Sequence, residues 1–271
     1  MRHKAATKME DEAMELLAAA LTLGAIMTLA WAVRLRTGQS GWIDACWSGG
    51  CGLAAVFLAL APFHDIQPRQ WLCAALAGAW SFRLASHIAA RTMKATRDDP
   101  RYAALVQQWG AAWKGRLLFF LQIQAVCGFG LAVSVWAAAH APRPGLDWQD
   151  WLGVALLGIA VVGEGVADAQ VRAYGRSHHG GVADTGLWAW SRHPNYFFEW
   201  FGWWAYVAIA VTPHYWQGWL AMIGPAMMYW LLVYASGIPH LEAHMERSRG
   251  AAWRAYKTRT SPFFPLPPRR G

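Results

Sequence analysis

The sequence is short of charge. Only 15% of its 271 residues are Asp, Glu, Lys or Arg, against about 25% in a soluble globular chain. With 56% hydrophobic residues, this excludes a disordered chain and argues against an ordinary soluble enzyme. Cysteine is scarce as well. Cys46, Cys51, Cys73 and Cys127 sit in apolar runs and none forms a CxxC pair, which argues against a disulfide framework or a structural zinc site. There is no HExxH, no internal repeat and no low-complexity segment.

What the chain has instead is long apolar runs and 19 tryptophans. Crossing a bilayer as a helix takes about 20 mostly apolar residues. Seven runs qualify: 13–33, 43–63, 71–89, 117–139, 151–171, 196–214 and 217–237. The first is longer than a signal-peptide core, and no small-x-small cleavage site follows it, so it reads as a membrane helix. Trp42, Trp71, Trp148, Trp151, Trp216 and Trp219 lie near run ends, where an aromatic belt forms. The runs are too long and uniform for barrel strands. The expectation is one all-α domain over 1–271, an integral membrane bundle of seven transmembrane helices, with 238–271 as a cytoplasmic helix and Pro-rich tail.

Basic residues set the expected orientation. Loops 34–42, 90–116 and 172–195 and the tail 238–271 hold eighteen of the 24 Lys and Arg residues. The opposite side holds five, and Arg83 lies within the third run. Positive charge favours the cytoplasm, which places the N-terminus outside and the C-terminus inside. The net charge of +8 suits anionic headgroups or a phosphorylated ligand, and nucleic acid is not expected as a partner.

Ionisable groups inside spans are costly and mark functional sites or buried pairs. Asp44 starts the second span. Arg83 and His87 share a face of the third. Glu164, Asp168 and Arg172 form a stripe on the fifth, and Glu199 follows Asn195 by one turn on the sixth. These groups either lock helices together or line a common cavity. In the loop 172–195, Gly180–Gly181 gives a turn, and Trp188 and Trp190 offer faces for a flat ring. Arg192, His193 and Pro194 then open the sixth helix as an anion site. Asn195 can read an amide such as a nicotinamide carboxamide, or other polar groups. His240 and His244 share a helix face, and His178–His179 lie upstream. Their spacing does not match a histidine-box enzyme, so no metal is expected, and His240 reads as an anion or amide partner.

The stretch 184–204, DTGLWAWSRHPNYFFEWFGWW, with 236–242, SGIPHLE, and 260–267, TSPFFPLP, resembles a bacterial membrane family of unknown function related to steroid 5-alpha-reductases. The Arg192-His193-Pro194-x-Tyr196 core is also shared with isoprenylcysteine carboxyl methyltransferases. The resemblance implies a bacterial inner-membrane enzyme, expected as a monomer, whose site opens to the cytoplasm and binds NADPH. It implies reduction of the carbon–carbon double bond of an enone in a lipophilic, steroid-like substrate such as a 3-oxo-4-ene steroid, by hydride transfer to the β-carbon. Carried over by position, Asp168 and Arg172 form a cofactor wall, with Glu164 where the family has Asn. Asn195 and Glu199 contact the nicotinamide, Trp203 neighbours a ring, and His240 meets phosphate or ribose. Arg91, with Arg97 and Arg101 behind it, faces the cofactor phosphates. Asp44 stands where the family has a ketone-polarising Glu. No Tyr stands at the matching place on the third span, so His87 or Arg83 is expected to supply the second donor. The alternative is an S-adenosylmethionine-dependent methyltransferase acting on a lipid-linked carboxylate. A non-catalytic module whose polar groups only join helices is the third reading.

Overall fold

The computed structural model describes residues 2–178 and 181–269. Among these the chain is helical, with no strand beyond two isolated bridges. The helices are α1 (Arg2–Thr37), α2 (Gly41–Leu60), α3 (Pro68–Lys94), α4 (Pro100–Trp109), α5 (Trp113–Ala139), α6 (Trp148–Ser177), α7 (Leu187–Trp190), α8 (Pro194–Gly202), α9 (Trp204–Ala210), α10 (Ile223–Trp230) and α11 (Ile238–Arg259). His179 and Gly180, part of the expected glycine turn and histidine pair, lie outside the described residues.

Five helical stretches are long and apolar enough to cross a membrane: Met9–Thr37, Gly41–Leu60, Pro100–Ala139, Trp148–Ser177 and Trp216–Arg259. Five of the seven expected spans fall in these stretches, and the other two do not meet the criterion, for two physical reasons. Helix α3 occupies the third expected span and is long enough, but Gln70, Ser81, Arg83, Ser86 and His87 dilute its apolar character. The sixth expected span is broken after Gly202 into α8 and α9, each too short to cross alone. The five stretches make this an integral membrane protein. Large apolar side chains face outward along them, including Leu21, Phe119, Val126 and Val162. Trp71, Trp148, Trp151, Trp216 and Trp219 are exposed near helix ends, as an aromatic belt requires.

The described residues divide into two compact units, Met1–Asp147 with Ile209–Gly224, and Trp148–Ala208 with Pro225–Gly271. In the first unit, α2 packs against α1, α3 and α5. Small residues permit that closeness. A side chain at Gly52 would collide with Ser81 on α3, and one at Gly128 on α5 would reach Cys51 Sγ at 2.7 Å. Ser81 Oγ also donates to the Ser48 carbonyl at 2.7 Å. Arg69 is 2% exposed and donates to the carbonyls of Ala141, Arg143 and Gly145 at 2.8–2.9 Å. It fastens the connection after α5, and it is structural.

In the second unit, α6 packs against α8, and a side chain at Gly163 would strike the Phe198 ring. The rings of Phe197, Trp200, Tyr229, Phe263 and Phe264 form one cluster. It anchors the tail after α11, as stacked and edge-on aromatic pairs do. Within α11, Gly250 takes φ 52°, a backbone region glycine enters without steric cost.

Candidate functional site

The expected site residues fall into the two units. Asp44, Arg83, His87, Arg91, Arg97 and Arg101 belong to the first; Glu164, Asp168, Arg172, Arg192, His193, Asn195, Glu199, Trp203 and His240 belong to the second.

In the first unit, the turn before α4 is built by Asp98, Asp99 and Pro100. Asp98 accepts from the Ser40 backbone N–H at 2.6 Å and pairs with Arg34 at 2.8 Å, tying the ends of α1 and α2. Asp99 caps α4 by accepting from the Arg101 N–H at 2.9 Å. Burial opposes ionisation of Asp99, but hydrogen bonds and charge from Arg101 outweigh it and hold its pKa below the usual carboxylate value. Pro100 supplies a first helical residue that needs no N–H partner. This turn aims Arg101 and Tyr102 at α2. The Arg101 guanidinium reaches Asp44 Oδ2 at 2.5 Å and Asp99 Oδ2 at 2.9 Å. The Tyr102 hydroxyl donates to Asp44 Oδ1 at 2.9 Å and accepts from Gln124 Nε2 at 3.4 Å.

Two expectations change here. Asp44 was expected to polarise a ketone, in the place of the family's Glu. It faces a guanidinium and a phenol, both donors, and accepts from each, so both of its oxygens are engaged within the protein. Arg101, expected at cofactor phosphates, is committed to Asp44 and Asp99. Tyr102 was not foreseen, because 90–116 read as a loop. Its available signal was Asp98-Asp99-Pro100, an acidic cap with Pro at the first helical position. Arg83 is half-buried on α3, whereas His87, Arg91 and Arg97 are exposed.

In the second unit, α6 and α8 bring three expected residues together. Asn195 Nδ2 donates to Asp168 Oδ1 at 3.3 Å, and Arg172 Nη1 lies 3.8 Å from Asp168 Oδ2. Asn195 Oδ1 accepts from the Tyr196 N–H at 3.0 Å, which fixes which end of the amide faces Asp168. Glu164, one turn before Asp168, and Glu199, one turn after Asn195, are half-buried. Trp203 is buried at the break between α8 and α9, and His240 is exposed on the first turn of α11.

Arg192 and His193 are placed elsewhere, which corrects their expected role as an anion site opening the helix. Arg192 Nε donates to Glu242 Oε1 at 2.8 Å and Nη1 to the Thr260 carbonyl at 2.7 Å. His193 Nε2 lies 3.2 Å from the same Glu242 oxygen, and Lys257 Nζ lies 3.4 Å from Oε2. This network fastens the turn before α8 to α11. Burial, together with the Arg192 charge, depresses the His193 pKa below its usual 6.5 against the pull of Glu242. Its Nδ1 is buried without a hydrogen-bond partner. Sequence spacing gave no sign of Glu242, which sits 50 residues from Arg192.

A separate hollow of about 430 Å³ on the first unit is lined by Trp109, Arg116, Phe119, Phe120 and Ile123. None of these is a residue that the resemblance assigns to cofactor or substrate.

The arrangement offers two kinds of chemistry. Asp44 with Arg101 and Tyr102 makes a carboxylate held by two donors. Asp168 with Asn195 makes an oriented amide and carboxylate with spare hydrogen-bonding capacity. Neither the curated proteins nor the solved structures gave a match. A family model does match, over residues 30–260, which takes in both of these groups, and the chain therefore belongs to that family, described as a protein of unknown function, DUF1295.

Proposed function

We propose that this chain is an NADPH-dependent membrane reductase acting on the carbon–carbon double bond of an enone in a lipophilic, steroid-like substrate, with its C-terminus and site toward the cytoplasm. The observation that carries this reading is the Asp168–Asn195 contact beside Arg172. It joins three of the residues that the resemblance to steroid 5-alpha-reductases assigns to the cofactor.

The amide of Asn195 is held by Asp168 and by the backbone of α8, so its orientation is set before a ligand arrives. That matches recognition of a carboxamide, which needs a donor and an acceptor in fixed positions. Asp168, Asn195 and Glu199 would hold the nicotinamide end, and Arg172 would meet a phosphate. When bound, NADPH supplies the hydride. Arg192 and His193 are engaged with Glu242, which leaves the methyltransferase reading without its anion contact.

The test uses the purified full chain in detergent. NADPH is expected to raise the melting temperature, S-adenosylmethionine is not, and a 3-oxo-4-ene steroid is expected to stimulate NADPH oxidation. Asn195→Ala should weaken NADPH protection about tenfold while unfolding, without NADPH, near the temperature of the unaltered chain. Protection by S-adenosylmethionine alone, with methyl transfer, would overturn the reading.

A further inference from the structure

The last residues of the second unit form a hollow that the proposed reaction does not use. Its volume is about 300 Å³, and its walls include Arg192, Lys257, Arg259, Thr260, Ser261 and Arg269. Backbone hydrogen bonds hold these walls in place. The Arg192 N–H donates to the Ser261 carbonyl at 2.8 Å, the Leu266 N–H to Trp190 at 3.0 Å, and the Arg269 N–H to Arg259 at 2.9 Å. Ser191 Oγ donates to the Phe263 carbonyl at 2.8 Å, and Phe263 is buried in the aromatic cluster. The tail is docked, so the hollow is formed before any ligand binds.

Its charge is unbalanced. Four cationic side chains line it. The carboxylates paired with them are two: Glu242 with Arg192 and Lys257, and Asp184 with Arg259 at 2.5 Å. Two positive charges remain in excess. The C-terminal end of α11 would ordinarily repel an anion. Here Arg192 Nη1 takes the Thr260 and Lys257 carbonyls at 2.7 and 3.3 Å, which neutralises that end. The Arg269 side chain makes no hydrogen bond or ion pair among the described residues. Crowded cations in a partly enclosed volume repel one another, and a multiply charged oxyanion relieves the repulsion.

We propose that this hollow binds a phosphomonoester group carrying about two negative charges, whether on a lipid headgroup such as phosphatidate or on a soluble phosphate. The proposal does not depend on the NADPH reading, because its walls exclude Asp168, Arg172 and Asn195.

The experiment follows thermal unfolding of the full chain in neutral detergent with inorganic phosphate, against chloride at equal ionic strength. A parallel arm reconstitutes the chain in phosphatidylcholine doped with phosphatidate or with phosphatidylglycerol at equal surface charge. A soluble source gives saturable protection by phosphate over chloride. A lipid source gives protection by phosphatidate over phosphatidylglycerol alone. In either case Arg269→Ala weakens the effect about tenfold, the loss of one charge-assisted contact. That variant keeps the backbone bond to Arg259, and its unfolding without phosphate should match the unaltered chain. No preference in either arm, or protection unchanged in both Arg269→Ala and Arg259→Ala, overturns the proposal.

Discussion

Asp44 and Asp168 are both carboxylates on long apolar helices, yet they are held differently. Asp44 is 20% exposed and accepts hydrogen bonds of 2.5 and 2.9 Å from Arg101 and Tyr102. Asp168 is 30% exposed, its contacts are 3.3 and 3.8 Å, and its basic partner Arg172 is more than half exposed. Glu242 resembles Asp44: it is 14% exposed and receives Arg192, His193 and Lys257. Asp44 and Glu242 therefore have their partners in place before any ligand arrives. Asp168 keeps acceptor capacity in hand. Closed sets should govern stability, and the open set should govern binding.

The sharpest way to break that contrast is to empty a closed set. Glu242→Ala leaves Arg192 buried without its carboxylate, and breaking a buried pair costs about 3–5 kcal/mol. The expected outcome is a large drop in melting temperature in detergent, or failure to purify a folded chain. A melting temperature near that of the unaltered protein would show that Arg192 is satisfied by the Thr260 and Lys257 carbonyls alone.

Asp44→Asn is the next largest. It removes the charge facing Arg101, but Arg101 is 36% exposed, so solvent softens the loss to about 1–3 kcal/mol. Arg101 also retains Asp99. Denaturation of the two variants side by side should place Asp44→Asn clearly below Glu242→Ala in effect. The reverse order would mean that the turn before α4 carries more of the fold than the docked tail.

What could be read from the sequence follows the distance between partners. The runs 13–33, 43–63, 117–139 and 151–171 lie in or largely overlap α1, α2, α5 and α6, because an apolar run of bilayer length is a local property. The Asp168–Asn195 contact was half legible: each residue stood out as polar in an apolar segment and the resemblance assigned both to one cofactor, but their direct hydrogen bond was not foreseen. The partnerships of Asp44 with Tyr102 and of Arg192 with Glu242 span 58 and 50 residues, and no spacing rule reaches that far. The break after Gly202 was missed because Trp203 and Trp204 look as apolar as the helix around them. Pro194, by contrast, marked the start of α8 correctly.

Asp168→Asn tests the open set. The Arg172 contact is long and solvent-exposed, so its loss should change stability by less than about 1 kcal/mol. Protection by NADPH in a thermal-shift titration should nevertheless disappear. Loss of both fold and binding together would instead place Asp168 with the helix-joining carboxylates and favour the non-catalytic reading.

The smallest effect is a pH dependence confined to the closed set at Glu242. His193 is 1% exposed, and burial with the neighbouring Arg192 keeps its pKa below 6.5. In the unfolded chain the imidazole takes up a proton as the pH falls through about 6.5, while the folded protein takes it up only at a lower pH. The unfolded state therefore binds more protons in that window, and stability falls as the pH falls. It is fully present above 6.5 and declines toward the depressed value, by at most about 1.4 kcal/mol per pH unit. Melting temperatures between pH 7.5 and 5.5 should decline in the unaltered protein and flatten in His193→Gln, whose amide keeps a donor for Glu242 and never ionises. An identical slope in the two proteins would mean that His193 charges within the folded network, and that the unpartnered Nδ1 finds an acceptor when it does.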